Sequence, residues 1–190
     1  MSRADDRAAV FLTSVTWLRV LLTPVVMAFV LAGGDTNQLI AGALFAVAAL
    51  TDLIDGLLAR RWKQTSPLGA FLDTTADKIL VSGGLLALVS VGRASVWASF
   101  LIIGREILIL GLKGVASAAK GDAVAPSWLG KAKANLQFIA ITVAIVRPDV
   151  VIGPWYLDAW LLWAAALASV WSGADYLIRY GGLVSRRRDR

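Results

Sequence analysis

Hydrophobic and polar positions fall along this chain in long blocks. Six apolar runs of roughly 18–25 residues, each long enough to cross a bilayer as a helix, extend approximately from Val15 to Leu31, Leu39 to Ala59, Leu68 to Val89, Val96 to Ala118, Trp128 to Val146 and Trp155 to Leu177. Polar or turn-rich breaks separate them: Gly33-Gly-Asp-Thr-Asn-Gln, Arg60 to Pro67, Gly92-Arg-Ala-Ser, Lys120-Gly-Asp and Arg147-Pro-Asp. The pattern predicts an all-α integral membrane protein with six transmembrane helices. It forms one membrane-embedded domain over residues 1–190, with residues 1–12 and 184–190 as mobile polar ends. The first run does not read as a cleavable signal, because Arg19 and Pro24 interrupt it and no small-residue cleavage site follows. No internal repeat or low-complexity linker is visible.

Composition agrees with the block pattern. The chain is 58% hydrophobic with a mean hydropathy of +0.70, well above an ordinary soluble domain's roughly 45–50% apolar content. The net charge of +6 does not point to nucleic acid, since the basic residues sit in short clusters between apolar runs. If the six runs alternate, Arg3 and Arg7, Arg60, Arg61 and Lys63, Lys120, Lys131 and Lys133, and the C-terminal arginines all fall on one side. The other side keeps Arg93 and Arg147. The positive-inside rule then places both termini in the cytoplasm. The eight tryptophans lie mostly near run ends, as interfacial anchors do, and the Arg186–Arg190 tail suits anionic lipid.

Four acids stand out against this background. Asp52 and Asp55 precede the Arg61 loop by about five to nine residues, and Asp73 and Asp77 follow it at similar distances. Both pairs are therefore roughly 8–14 Å inside the cytoplasmic end. Each ionised Asp on a membrane helix costs roughly 2.5–3.5 kcal/mol unless neutralised. Asp52, Asp55, Gly56 and Ala59 share one helical stripe, and Gly69, Asp73 and Asp77 repeat at i+4 on the next helix. Cysteine and histidine are absent, so any metal must be held by oxygen, which favours Mg²⁺, Mn²⁺ or Ca²⁺. Facing one another, four carboxylates make a cage for two hard cations that can clamp a pyrophosphate. Two plainer readings compete. The acids could be salt-bridged stitches paired with Arg60, Arg61 and Lys78, but interleaved glycines exceed what stitching requires. They could instead mark a cation transporter, although such sites usually lie near the midplane.

The spacing D-x-x-D-G-x-x-A-R-x8-G-x-x-x-D-x-x-x-D is met at every fixed position by Asp52, Asp55, Gly56, Ala59, Arg60, Gly69, Asp73 and Asp77. It resembles the signature of the CDP-alcohol phosphatidyltransferases. That resemblance implies a six-helix homodimeric enzyme of the cytoplasmic (inner) membrane, multi-pass, with its active site facing the cytoplasm. Such an enzyme moves a phosphatidyl group from CDP-diacylglycerol to an alcohol and releases CMP. It further implies two divalent cations, Mg²⁺ or Mn²⁺, on Asp52, Asp55, Asp73 and Asp77, with Asp73 and Asp77 catalytic and Asp77 the general base. By the same likeness Thr13, Thr16, Asp52, Asp55, Gly56, Ala59, Arg60, Ser66 and Gly69 hold the CDP-lipid.

The likeness extends, among family members, to those whose acceptor is sn-glycerol 3-phosphate. The stretches involved are Thr13-Ser-Val-Thr-Trp-Leu-Arg19 with Pro24, Ala59-Arg-Arg-Trp-Lys63, Gly104-Arg-Glu-Ile-Leu108, and Ser127-Trp-Leu-Gly-Lys-Ala-Lys133 with Gln137. Arg105 falls within the fourth apolar run and must face a cavity or a partner. With Lys113 and either Lys131 or Lys133, it forms a candidate acceptor-phosphate site. If that stretch is helical, Lys131 and Lys133 are about 200° apart, so only one easily enters the pocket. The plainer reading makes Arg105 the partner of an aspartate and the two lysines cytoplasmic-loop charges. Lys113 stands where related enzymes usually have Arg, Thr13 where Asn is common and Ala134 where Thr is. Inositol phosphate, serine and phosphatidylglycerol are the alternative acceptors.

Overall fold

The computed structural model describes the backbone of residues 3–62, 67–120 and 128–185 and the side chains of residues 14–51, 72, 74–114 and 132–178. Within these, the helices are α1 (Arg3–Ala32), α2 (Asp35–Trp62), α3 (Pro67–Ser90), α4 (Val96–Lys120), α5 (Trp128–Val146) and α6 (Leu157–Ser185). The expected α5 is reproduced at both ends, and α4 starts where expected. Helices α1 and α6 outrun their apolar runs, since a helix once nucleated propagates at little cost into water. Residues 3–12, expected as a mobile end, are helical. The alanines of this stretch are strong helix formers.

Trp155 does not open the sixth helix as expected. It belongs to a short hairpin, β1 (Val151–Ile152) with β2 (Trp155–Tyr156), paired Val151 to Tyr156 and Ile152 to Trp155. Gly153, at φ 63°, takes the first central turn position where a two-residue hairpin needs positive φ, and Pro154 suits the second. Trp160 Nε1 donates to Ile152 O at 2.9 Å, tying the hairpin to α6. Helix α3 ends in a paired C-cap: Gly92 at φ 72° donates to Val89 O, and Arg93 N donates to Leu88 O.

The helices close into a ring in the order α1, α2, α5, α6, α4, α3, with α3 also touching α5 across the interior. Small residues set the tightest crossings, as in membrane bundles generally. Gly83 lies against Thr23 and Met27 of α1, while its neighbour Gly84 faces Phe45 of α2 and Ile141 of α5. Helix α2 meets α5 where Gly42 faces Val146.

The distribution of polarity is inverted relative to a water-soluble bundle. Every helix exposes large apolar side chains, up to Trp171 at 72% and Ile178 at 83%, while Arg19 (1%), Glu106 (3%) and Lys133 (4%) are buried. Two stretches, Ser14–Ala32 and Leu157–Ile178, are long and apolar enough among the described residues to cross a membrane. Helix α4 falls short of that measure because Arg105, Glu106 and Lys113 occupy its interior turns. The interior is also divided along the bundle axis. Val26 and Val30, Ala41 to Ala48, Leu80 to Leu88, Ala98 to Ile102, Ala140 to Ile145 and Leu162 to Ala166 build one apolar half. Arg19, Asp77 and Lys78, Arg105 and Glu106, Lys133 and Gln137, and Ser169 and Ser172 occupy the other. On α1, α3 and α5 these polar residues precede the apolar ones, and on α4 and α6 they follow, although Ser99 and Asp158 are buried toward the opposite ends of α4 and α6. Strict up-and-down alternation gives that order.

Candidate active site

The polar half centres on one carboxylate. Glu106 of α4 accepts Lys78 Nζ from α3 at 2.9 Å on Oε2. Its Oε1 accepts Lys133 Nζ from α5 and Arg105 Nη1 from its own helix at 3.5 Å. Arg105 Nη2 donates to Ser172 Oγ of α6 at 2.9 Å. Gly173, the next residue, leaves the arginine stem room, since a Cβ added there would lie only 3.1 Å from Arg105 Cγ. Beside this cluster, Arg19 of α1 donates from Nη1 to Asp77 Oδ1 at 3.4 Å. Thr23 Oγ1, one turn on, donates to Arg19 O at 3.0 Å. Gln137 Nε2 donates to Ser169 Oγ at 3.4 Å. Four helices thus meet on Glu106 and Arg105, and α1 joins through Asp77, the chain neighbour of Lys78.

Of the sequence-derived candidates, the structure unites Arg105 and Lys133 on Glu106 and sets Asp77 next to them. Lys133 is a buried helix residue, so the reading of it as a loop charge is corrected. Arg105 pairs with a glutamate and a serine, correcting the expectation of an aspartate partner. Lys113 lies two turns further along α4, its ammonium 6.0 Å from the Tyr176 ring centroid, and does not reach Glu106. Thr16 is buried on α1. Asp52, Asp55, Gly56, Ala59 and Arg60 lie on α2, Gly69 and Asp73 on α3, Thr13 on α1 and Lys131 on α5, but their side chains are outside the described set, and Ser66 is outside it altogether.

Two ionisable residues of this site, and the hydroxyls of Thr23, Ser169 and Ser172, were not singled out by sequence reasoning. Arg19 registered as an interruption of an apolar run and as the end of a resembling stretch, and Glu106 only as a letter in another. A signal existed for both: each is an ionisable residue well inside an apolar run, which by itself marks a functional candidate.

The donor set suits hard divalent cations. The chain has neither His nor Cys. Helix α2 runs unbroken through Asp52 and Asp55 and α3 through Asp73 and Asp77, so the i, i+3 and i, i+4 registers are realised. The Asp77 side chain retains 19% exposure, so its carboxylate is not sealed. Among the described residues no cluster of three or more potential ligands occurs, since three of the four acids are outside the described side chains.

The described residues thus combine helices with apolar outer faces and a buried cluster of Lys78, Arg105, Glu106 and Lys133 next to Asp77. The family follows from comparison: the model of the CDP-alcohol phosphatidyltransferase family matches residues 13–171, and the chain belongs to that family. It is a membrane protein. It is 38% identical over 169 residues to the CDP-diacylglycerol–glycerol-3-phosphate 3-phosphatidyltransferase of Sodalis glossinidius (strain morsitans), covering 85% of this chain and 91% of the relative. The enzyme of the same name from Escherichia coli (strain K12) is 37% identical over 169 residues, with 87% and 91% covered.

Proposed function

We propose that this chain transfers the phosphatidyl group of CDP-diacylglycerol to sn-glycerol 3-phosphate, forming phosphatidylglycerophosphate and releasing CMP. It acts as a six-span protein of the cytoplasmic membrane with both termini and the active site facing the cytoplasm, and, by family likeness, as a homodimer. The observation that carries the reading is the convergence of Lys78, Arg105 and Lys133 on one buried carboxylate beside Asp77. A cationic pocket adjoining a carboxylate serves an acceptor that bears both a phosphate and a hydroxyl to be deprotonated.

Each residue has a role in that chemistry. Asp52, Asp55, Asp73 and Asp77 would hold two Mg²⁺ or Mn²⁺ ions, which when bound neutralise the diphosphate and stabilise the departing CMP. Asp77 takes the proton of the acceptor hydroxyl as its oxygen attacks the phosphorus that carries the diacylglycerol. The bond from that phosphorus to the CMP oxygen breaks, and CMP leaves. Arg19 orients the Asp77 carboxylate from one side. Arg105 and Lys133 bind the acceptor phosphate by charge-assisted hydrogen bonds, while Thr13, Thr16, Gly56, Ala59, Arg60, Ser66 and Gly69 seat the CDP-lipid. Lys113 borders the pocket from the far end of α4.

Purified protein in detergent, given CDP-diacylglycerol, releases CMP when glycerol 3-phosphate and Mg²⁺ or Mn²⁺ are both present, and stops on chelation. Equal turnover with serine or inositol phosphate would refute the acceptor assignment. Absence of CMP release with every alcohol tried would refute the enzyme assignment. Asp77→Asn abolishes transfer and leaves CDP-lipid binding in place; retained turnover would remove Asp77 as the base.

A further inference from the structure

The Arg105 guanidinium is oriented more by α6 than by its carboxylate partner. Its Nη1 lies 3.5 Å from Glu106 Oε1, an oxygen that Lys133 also engages. Sequence neighbours project about 100° apart on a helix, so Glu106 does not face the guanidinium squarely. The contact of Nη2 with Ser172 Oγ, at 2.9 Å, has the length of a full hydrogen bond. Ser172 is itself buried. Gly173 completes the seat: a Cβ there would lie 3.1 Å from Arg105 Cγ and 3.6 Å from Nε, so the arginine stem rests on the α6 backbone.

The same face of α6 meets the rest of the polar half. Ser169, Ser172, Gly173 and Tyr176 stand at i, i+3, i+4 and i+7, one stripe of the helix. Ser169 Oγ accepts from Gln137 Nε2 of α5 at 3.4 Å, and the Tyr176 ring centroid lies 6.0 Å from the Lys113 ammonium. A hydroxyl at position 172 does nothing for the charge balance of a buried arginine, which a carboxylate serves. What it adds is direction. A planar fork recognises a phosphate well only when its plane is set, because its paired N–H groups must meet two oxygens at once.

We propose that Ser172 is a positioning residue for the acceptor: with Gly173 it sets the plane of the Arg105 guanidinium and, through it, the fit to the acceptor phosphate. The inference rests on the proposed use of glycerol 3-phosphate. It gives a selecting role to α6, which carries none of the four signature aspartates. Ser172 acts through Arg105 and not on the substrate. A guanidinium held in place before the acceptor arrives has less freedom left to lose on binding.

The test is steady-state kinetics of CMP release by the full-length protein in detergent, varying glycerol 3-phosphate and CDP-diacylglycerol separately. Ser172→Ala removes one oxygen and is expected to raise the KM for glycerol 3-phosphate about 10-fold, the lower end of what a hydrogen bond to a charged group contributes. The KM for CDP-diacylglycerol should change less than about twofold, and kcat at saturating acceptor should stay within a few-fold of the parent, the pattern of lost ground-state binding. Ser172→Thr, which keeps the hydroxyl, should recover most of the acceptor KM. In an Arg105→Lys background Ser172→Ala should add less than about twofold, because the fork through which it acts is gone. Should Ser172→Ala not fold, Ser172→Cys, close in size and a weaker acceptor, supplies the same comparison. An unchanged acceptor KM, an equal rise toward both substrates, or the full Ser172→Ala effect persisting in the Arg105→Lys background overturns the proposal. A parent protein that does not use glycerol 3-phosphate fails the acceptor reading instead, so the two failures are distinguishable.

Discussion

The crossing of α3 on α1 at Gly83 gives a quantitative test of how packing supports the site. An alanine Cβ at position 83 would sit 2.5 Å from Thr23 Cγ2 and 3.1 Å from Met27 Sδ. Carbon atoms prefer about 3.5–4.0 Å, so α3 must retreat by roughly 1 Å or Thr23 must turn. Thr23 is β-branched, with few rotamers open to it, and its hydroxyl is engaged with Arg19 O at 3.0 Å. Overpacking of this kind costs about 1–3 kcal/mol, and the helix propensity gained by replacing glycine returns about 1 kcal/mol. A net change from about zero to a loss of about 2 kcal/mol follows, or up to roughly 8 °C in Tm for a chain of this size, whereas Gly111→Ala gains the propensity without the overpacking and so melts higher than Gly83→Ala. Activity should suffer more. Asp77 lies six residues from Gly83 on α3, about 9 Å along the axis, and Arg19 one turn from Thr23, so a shift at the crossing reaches the 3.4 Å Arg19–Asp77 pair. A displacement of about 1 Å costs on the order of 100-fold in rate. The assay is CMP release alongside thermal unfolding in detergent, with Gly111→Ala as comparator, where a Cβ meets nothing within 4 Å. If Gly83→Ala melts and turns over like Gly111→Ala, the packing argument is wrong.

Two further outcomes follow from the site. Arg19→Met leaves the Asp77 carboxylate without its α1 donor, so kcat should fall at least about tenfold, with Arg19→Lys recovering only part because a point charge replaces a fork; both are read from CMP release at saturating substrates. Gly173→Ala places a Cβ 3.1 Å from Arg105 Cγ, pushing the guanidinium off Ser172, and should raise the KM for glycerol 3-phosphate several-fold more than that for CDP-diacylglycerol.

Much of the fold was legible because apolar run length and polar breaks report directly on helices that must hide their backbone from lipid. The run from Trp128 to Val146 became α5 unchanged. The hairpin at Val151–Tyr156 was not anticipated, since an apolar run reads the same whether its first residues are strand or helix, and only Gly153-Pro154 hinted at the turn. Periodicity gave Asp73 and Asp77 a common register, yet could not say which helices become neighbours. Arg19 and Asp77 are 58 positions apart, and Lys133 meets Glu106 across 27, so no local pattern encodes either pair. Arg105 was legible because a charge deep in an apolar run demands a cavity or a partner. Glu106 beside it had the same claim and was obscured by its neighbour.

Those separations along the chain also set a timetable for assembly. At synthesis rates of about 5–20 residues per second, the 58 positions between Arg19 and Asp77 amount to roughly 3–12 s. During that interval α1 is complete while the helix that carries Asp77 is still to be made. Arg105 and Glu106 emerge together and arrive already matched, with Lys78 made before them and Lys133 following only after the next loop. The polar contacts of the ring therefore close between helices made at different times. The buried Arg19–Asp77 pair is completed only once the first and third helices have both been made, so α1 and α3 become a unit later than their neighbours along the chain.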